Sequence, residues 1–578
     1  VKDLRQFSPF KEEQTNRPSR RSTLFWFGLS LVFALVYGIL VWKQAFSSEF
    51  VVQDDARQHV FWMQRFVDSS LFPQDWIADY FQSVAPAGYT WLYQVAALGI
   101  NPLLFSKLLP PLLGVLSTIA SFGIVLEIFP VPAAAFVSSL LLNQVLWMQD
   151  DLVSATPRAF IYPLFLGFCY FLLRRSLLPC LAMIVLQGLF YPQSVFLSAG
   201  LLPFQILQWQ GWRPRLSRSV QDYWFCGLGL AVAIGVMLPY ALSISQFDPV
   251  VTLAEAQQMP EFQKGGRSAF FSDDFWWFWV EGPRSGLLPY PSRLPKLLIL
   301  ALLLPISLRF PQQFPLVQRI QPAIGLLPQL MLVSLFWFGA AHALLFKLHL
   351  PSRYTQHSFR LILSWAAGIA IIIGLDALRQ WVNRNPKPVK QIVAIGLTGL
   401  VAAALIFYPS YKRAFPYTGY MVGTQPDLYR FLAQQPKEIL IASLSPEADN
   451  LPSLTQRSVY VSKEYAIPYH MGYYRPLQQR IEALIGAQYS PGLPKLKRFI
   501  RDTGVDFWLL DRSAFTPEYV EESWFKQYPK AAKLAERSLK TSAGPALAKM
   551  TRPCAVSQNT EFILLDAACI VDQPNREP

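Results

Sequence analysis

Between Thr23 and Tyr408 the chain alternates long apolar runs with short polar or proline-bearing breaks. A membrane span needs roughly 20 apolar residues, fewer where other protein surrounds the helix. By that length criterion the pattern predicts about eleven spans, near 22–43, 102–128, 131–147, 157–173, 178–190, 193–208, 223–245, 294–309, 321–347, 361–380 and 391–408. Between 178 and 208, Tyr191-Pro192-Gln193 reads either as a turn or as a kink, so the count there stays open. The first run, Thr23 to Val41, lacks a small-residue cleavage pattern and is expected to remain as an anchor. After Pro409 the pattern shortens. Runs at 438–442, 458–461 and 504–510 read as strands, and 475–485 and 493–502 carry helical apolar spacing. Strands alternating with helices predict a small α/β domain over 409–578.

Charge orients these spans. The segment 1–21 carries Lys2, Arg5, Lys11, Arg17, Arg20 and Arg21, which marks it as a cytoplasmic tail. Counting from there, the loops bearing Arg174 and Arg175, Arg213 to Arg218, Arg309 and Arg319, and Arg379 to Lys390 all fall on the same side. The opposite side receives the loops 44–101 and 246–293, the turns around Asp150 and Arg353, and 409–578. The fold class expected is therefore a polytopic α-helical membrane protein, N-terminus in and C-terminus out. Its membrane part is 22–408, and it carries an extracytoplasmic α/β domain.

Composition agrees. Of 578 residues, 52% are hydrophobic and only 15% charged, too little polar surface for an ordinary soluble protein. The net charge of +14 would suggest nucleic acid in a soluble chain. Here the excess sits on cytoplasmic loops, so no nucleic-acid partner is expected. Five cysteines show no zinc-type spacing. Cys554 and Cys569 both lie in the external domain, where oxidation is permitted, and are expected to pair.

Candidate chemistry lies at the outer span ends, where charges cost free energy and are retained for function. Gln53-Asp54-Asp55-Ala56-Arg57-Gln58-His59 follows the first span. Two adjacent carboxylates either raise one pKa or recruit a divalent cation, and either outcome suits removal of a proton from an acceptor. The plainer alternative is a helix cap for a segment running through 60–67. A second pair, Asp150-Asp151, lies on the same side, followed by Arg158. The segment from His349 to Arg360 adds Arg353, which with Arg158 or Arg360 would hold a lipid phosphate, or else snorkel to headgroups. Its histidines, His349 and His357, are weak metal ligands. His59, Glu281, Arg284 and Tyr354 are further, weaker candidates. The aromatic stretch from Phe270 to Glu281 fits an interfacial helix lying on the bilayer.

Asp54-Asp55 in the first external loop, Asp150-Asp151 in the second, Pro351-Ser352-Arg353-Tyr354 at the outer start of a late span and a C-terminal external domain together resemble the GT-C superfamily. That superfamily of polytopic glycosyltransferases includes protein O-mannosyltransferases, aminoarabinose transferases and the oligosaccharyltransferase catalytic subunit. The segments 73–81 and 457–464 look like stretches in uncharacterised bacterial relatives. The resemblance implies transfer of a sugar from a polyprenyl phosphate or diphosphate carrier to a glycan, lipid or protein acceptor on the extracytoplasmic face of a bacterial inner or plasma membrane. By it, Asp54 or Asp55 is base or metal ligand, Asp150 or Asp151 a second acidic contact, and Arg353 a phosphate clamp. A divalent cation, Mg or Mn, would be held by Asp54, Asp55 and Asp150. The chain departs from the superfamily in lacking a Trp-Trp-Asp-Tyr-Gly motif, which speaks against N-glycosylation of sequons. Two other classes compete: a transporter or flippase for a lipid-linked glycan, which would bury charges mid-span in inverted repeats, and a non-catalytic subunit of polysaccharide biogenesis.

Overall fold

The computed structural model describes residues 18–210, 213–289, 291–384, 386–412 and 414–574; Lys2, Arg5, Lys11 and Arg17 of the basic tail lie outside the described residues. Among the described residues, six helices are long and apolar enough to cross a membrane: Arg20–Ala45, Pro102–Ile128, Val220–Leu242, Pro322–Ala343, Ser352–Arg384 and Pro388–Ile406. Pro132–Leu146, Pro157–Leu173 and Leu177–Phe190 are shorter apolar helices. The chain is thus an integral membrane protein, mostly helical.

The other two apolar runs are broken by proline. The run at 193–208 forms a helix only over Gln193–Leu201 and tightens to 3₁₀ geometry at Leu202–Gln205, which contains Pro203. The run at 294–309 starts as a 3₁₀ turn, Lys296–Leu302, before becoming helical at Leu303–Arg309. At Tyr191-Pro192 the chain turns, ending one helix at Phe190 and starting the next at Gln193.

The axis of the membrane part is Pro132–Leu146, in which every residue from Ala134 to Leu146 is buried. Ser352–Arg384 lies against it at very close approach. A Cβ on Gly368 would fall 2.5 Å from the backbone nitrogen of Ser138, so only glycine lets the two backbones meet. Ser138 Oγ donates to the Trp365 carbonyl at 3.3 Å across the same contact. This central helix carries Asp150-Asp151 just beyond its C-terminal end.

The strands are β1 Val51–Gln53, β2 Leu207–Gln210, β3 Arg213–Leu216, β4 Tyr420–Val422, β5 Leu440–Ser443, β6 Ser458–Val459, β7 Phe507–Asp511, β8 Ala555–Gln558 and β9 Phe562–Asp566. β1 pairs antiparallel with β4, tying the loop after the first long apolar helix to the chain just after Pro388–Ile406. A five-stranded sheet has the order β6-β5-β7-β9-β8, with β5 parallel to β6 and β7, and β9 antiparallel to β7 and β8. Helices Met471–Gln488 and Leu493–Thr503 connect β6 to β7. The sheet is therefore mixed, its antiparallel hairpin added to an α/β core.

Cys554 and Cys569 are joined by a disulfide fifteen residues apart in sequence. In the chain-entropy account a loop of about that length is worth roughly 3 kcal/mol. Replacing both by serine should lower the unfolding midpoint of the C-terminal region, read by differential scanning fluorimetry. An unchanged midpoint would mean that the surrounding packing carries the stability alone.

Two local expectations need correction. The aromatic stretch 270–281 is helical only over 275–281, whose last five residues, Trp277–Glu281, form a π turn. Trp276 and Phe275 are exposed, while Phe270 is fully buried. Nor do Asp54 and Asp55 cap a helix through 60–67. They open a six-residue helix, Asp54–His59, whose cap is Gln53, its side chain accepting from the Ala56 N–H at 3.1 Å.

Candidate active site

The two acidic pairs, a hundred residues apart in sequence, meet through one guanidinium. Arg158, at the start of Pro157–Leu173, forms ion pairs with Asp55 and, at 3.2 Å, with Asp151. On the far side of Asp151, Arg360 donates to the same carboxylate at 2.6 Å and to the Tyr162 hydroxyl at 2.6 Å. Tyr162 also meets His357 Nδ1 at 2.9 Å. Asp151 and Arg360 are almost wholly buried. Burial alone would lift the Asp151 carboxyl, but Arg158 and Arg360, with smaller help from His357 and Arg353, outweigh it and hold the group well below the usual range. Asp151 is a permanent anion inside a ring of cations.

Asp150 is treated differently. It forms no ion pair or side-chain hydrogen bond among the described residues. Burial raises its carboxyl; Arg158 partly offsets this, while Asp55 and Asp151 push it further up. Adjacent residues on a helical turn point roughly 100° apart, so one acid enters the cation ring and its neighbour does not.

Asp54 is about half exposed and pairs with the buried Arg57 one turn on. Gly419 brings Asp54 and Asp150 together. It sits at φ +63°, just before β4, and a Cβ there would stand 3.7 Å from the Cβ of Asp54 and 3.9 Å from that of Asp150. Its carbonyl accepts from the Asp54 N–H at 3.0 Å. An L-residue in this left-handed region costs roughly 1–2 kcal/mol. Gly419→Ala should therefore lower the unfolding midpoint and shift the spacing of the acids. Wild-type stability would show that the backbone relaxes there freely.

Arg57 links this site to the C-terminal region. It contacts Glu464 at 3.7 Å and donates to Asn450 Oδ1 at 3.0 Å. Glu464 also accepts from Arg267 at 2.7 Å, and its N–H donates to Asp449 at 2.9 Å. Burial lifts the Glu464 carboxyl to about 7; Arg267 and Arg57 counter this, and Asp54 and Asp449 add to it.

Arg353 stands at the first turn of Ser352–Arg384 and forms no ion pair among the described residues. Its Nε is buried without a hydrogen-bond partner. Its charge nevertheless acts on Asp151 and, with Arg158, on the buried hydroxyl of Tyr191, which also lacks a partner. Buried polar atoms left open beside a site are where a ligand or water completes the bonding.

The remaining candidates separate. Arg158 and Arg360 are engaged by carboxylates, whereas Arg353 forms no such pair among the described residues. His59 lies beside Asp55 and Arg158, and burial lowers it to about 4, leaving it neutral. His349 is likewise lowered, to about 3, by burial and then by Arg353. Tyr354 is buried with its hydroxyl donated to the Leu348 carbonyl at 2.9 Å, which makes it part of the scaffold. Arg284 braces its own loop through the carbonyls of Ala269 and Arg267. Glu281 is exposed and touches none of these groups. Among the described residues no three His, Cys, Asp or Glu side chains are placed to hold a metal ion. The charges of Asp54, Asp55 and Asp151 are already met by arginines.

The chain is similar to the Archaeoglobus fulgidus oligosaccharyltransferase in its apo form, at 13% identity and a TM-score of 0.49, over 90% of this chain and 72% of that one. It is also similar to ArnT from Cupriavidus metallidurans bound to undecaprenyl phosphate, at 13% identity and a TM-score of 0.44, over 95% and 99%. No protein-family model matches the chain, and no curated protein does. What this chain acts on therefore rests on its own residues.

Several residues of the site carry no sequence signal. Gly419 and Glu464 reach it through partners far earlier in the chain, Asp54 and Arg57. Tyr162 sits in an apolar run and reads as span. The one available hint was the charge cluster at 457–464 in an otherwise strand-like stretch.

Proposed function

We propose that this protein transfers a sugar from a polyprenyl phosphate or diphosphate carrier to an acceptor at the extracytoplasmic membrane edge. The observation that carries the reading is the pairing of opposites in one place. An unpaired, proton-seeking carboxyl, Asp150, lies beside a carboxylate locked as an anion, Asp151, within the field of a guanidinium, Arg353, that has no anion of its own.

In this reading Arg353 takes the carrier's phosphate, with the Tyr191 hydroxyl as a second donor. The acceptor hydroxyl attacks the anomeric carbon from the face opposite the phosphate. The new C–O bond forms as the bond from that carbon to the phosphate oxygen breaks, so configuration inverts. Asp150 receives the acceptor's proton, a role suited to a carboxyl with a raised pKa. Arg353 stabilises the negative charge that grows on the leaving phosphate. Asp151, Arg158 and Arg360 keep these groups in register, and Asp54 and Asp55 hold the first external loop against them. The basic loops on the other side of the spans support the orientation.

The test is transfer from undecaprenyl-phosphate-linked and undecaprenyl-diphosphate-linked sugars by the full chain in lipid vesicles. Asp54→Asn with Asp55→Asn should abolish transfer in a protein that still folds. Full activity in that variant would end the assignment of this loop to the site.

A further inference from the structure

The sheet of the C-terminal region has its own crevice, away from the acidic pairs. β5 and β7 run parallel side by side. The chain leaving β5 goes to β6 on one flank, whereas the chain leaving β7 goes to β8 and β9 on the other. Between strands whose connections part in this way the carboxyl ends are left uncovered, and that is where open α/β sheets take their ligands. A cleft of about 450 Å³ opens at this place, with Pro446 from the exit of β5, Asp511, Arg512 and Tyr519 from the exit of β7, and Thr560 and Glu561 from the entry to β9 on its walls.

The chemistry of the walls selects the ligand. Asp511 is held in one orientation by Ser445 Oγ at 2.7 Å and by the Tyr519 hydroxyl, one donor to each oxygen. A carboxylate offers about four lone-pair sites, so it keeps acceptor capacity toward the cleft. Glu561 accepts from Gln425 through Oε2 at 2.5 Å, and its Oε1 has no partner among the described residues. Two carboxylates repel a phosphate or carboxylate ligand. With Arg512 beside them and no third acid, they make a poor cation site. Two fixed acceptors, a guanidinium donor and an aromatic ring instead suit a neutral ligand that presents several hydroxyls and an apolar ring face, which is a pyranose.

The cleft is also wired to the membrane site. Ser445 binds Asp511, Pro446 forms its wall, and the short turn Pro446–Asp449 ends beside Asn450, which accepts from Arg57, the partner of Asp54. We infer that the carboxyl-end cleft between β5 and β7 binds a neutral sugar, and that this sugar belongs to the acceptor glycan. The second half rests on the transferase reading; the first does not.

Saturation-transfer NMR on the full chain in nanodiscs tests it, with the methyl glycosides of glucose, mannose, galactose and N-acetylglucosamine at about 1 mM, where a few hydrogen bonds give measurable occupancy. At least one should receive saturation. Thr560→Trp, which fills the cleft from an exposed turn, should abolish the signal, and Glu561→Gln should weaken binding about tenfold. Silence from all four sugars, or a signal undiminished in Glu561→Gln or in a folded Thr560→Trp, would overturn the proposal. Binding of undecaprenyl phosphate is followed in the same samples by its phosphorus resonance. Its absence in the wild-type protein would count against the transferase reading alone and leave the sugar cleft standing.

Discussion

Replacing Arg360 by methionine should destabilise the protein by roughly 3–5 kcal/mol, the cost of stripping one partner from a buried ion pair. Asp151 would keep Arg158 but lose the guanidinium that donates to it at 2.6 Å. Tyr162 would lose its donor as well. The carboxylate oxygen left without its donor cannot be rehydrated there, because both side chains are almost wholly buried. The double substitution Asp151→Asn with Arg360→Met removes the stranded charge and should regain most of the loss. The measurement is the thermal midpoint of the single and double variants in the same detergent. A double variant no more stable than Arg360→Met would mean that packing, not charge, governs this position.

The second large effect concerns rate. Asp150→Asn should lower transfer by about 10²–10⁴-fold, the usual contribution of a general base. Stability at neutral pH should stay level or rise slightly. The sign follows from the raised carboxyl. Its folded state holds the proton more tightly than the unfolded chain does, so its contribution is fully present below the ordinary aspartate value near 3.9 and is lost as pH climbs through the raised one. An amide carries no such penalty. The wild-type rate should therefore rise with pH along a limb displaced above the ordinary aspartate value, and the limb should vanish in the variant. A variant that keeps the limb would move the base to another carboxyl.

The spans were legible because a bilayer demands apolar residues over a fixed length, and Arg20–Ala45 and Pro102–Ile128 fall within two residues of the runs that foretold them. The shorter runs were legible as apolar, but 3₁₀ turns at Leu202–Gln205 and Lys296–Leu302 divide stretches that hydropathy counts as whole. The acidic pairs stood out as charge at span ends. Their division of labour did not, since Asp150 and Asp151 differ only in which way they face. Arg360 shows the same limit: in sequence it is one more arginine near a phosphate-type cluster, and only burial beside Asp151 makes it a counterion. Gly419 and Glu464 were out of reach altogether. Each acts through a partner that the chain returns to after crossing the membrane part.

The pairing of β1 with β4 sets the order in which the protein becomes competent during synthesis. Val51 leaves the ribosome early, yet its partner Val422 follows every membrane helix described. Until that strand arrives, Asp54 has no Gly419 carbonyl to anchor it and no fixed distance to Asp150. A nascent chain still threading its helices into the bilayer would thus hold both acidic pairs without the geometry to use them. Chemistry would begin only once the last crossing is made.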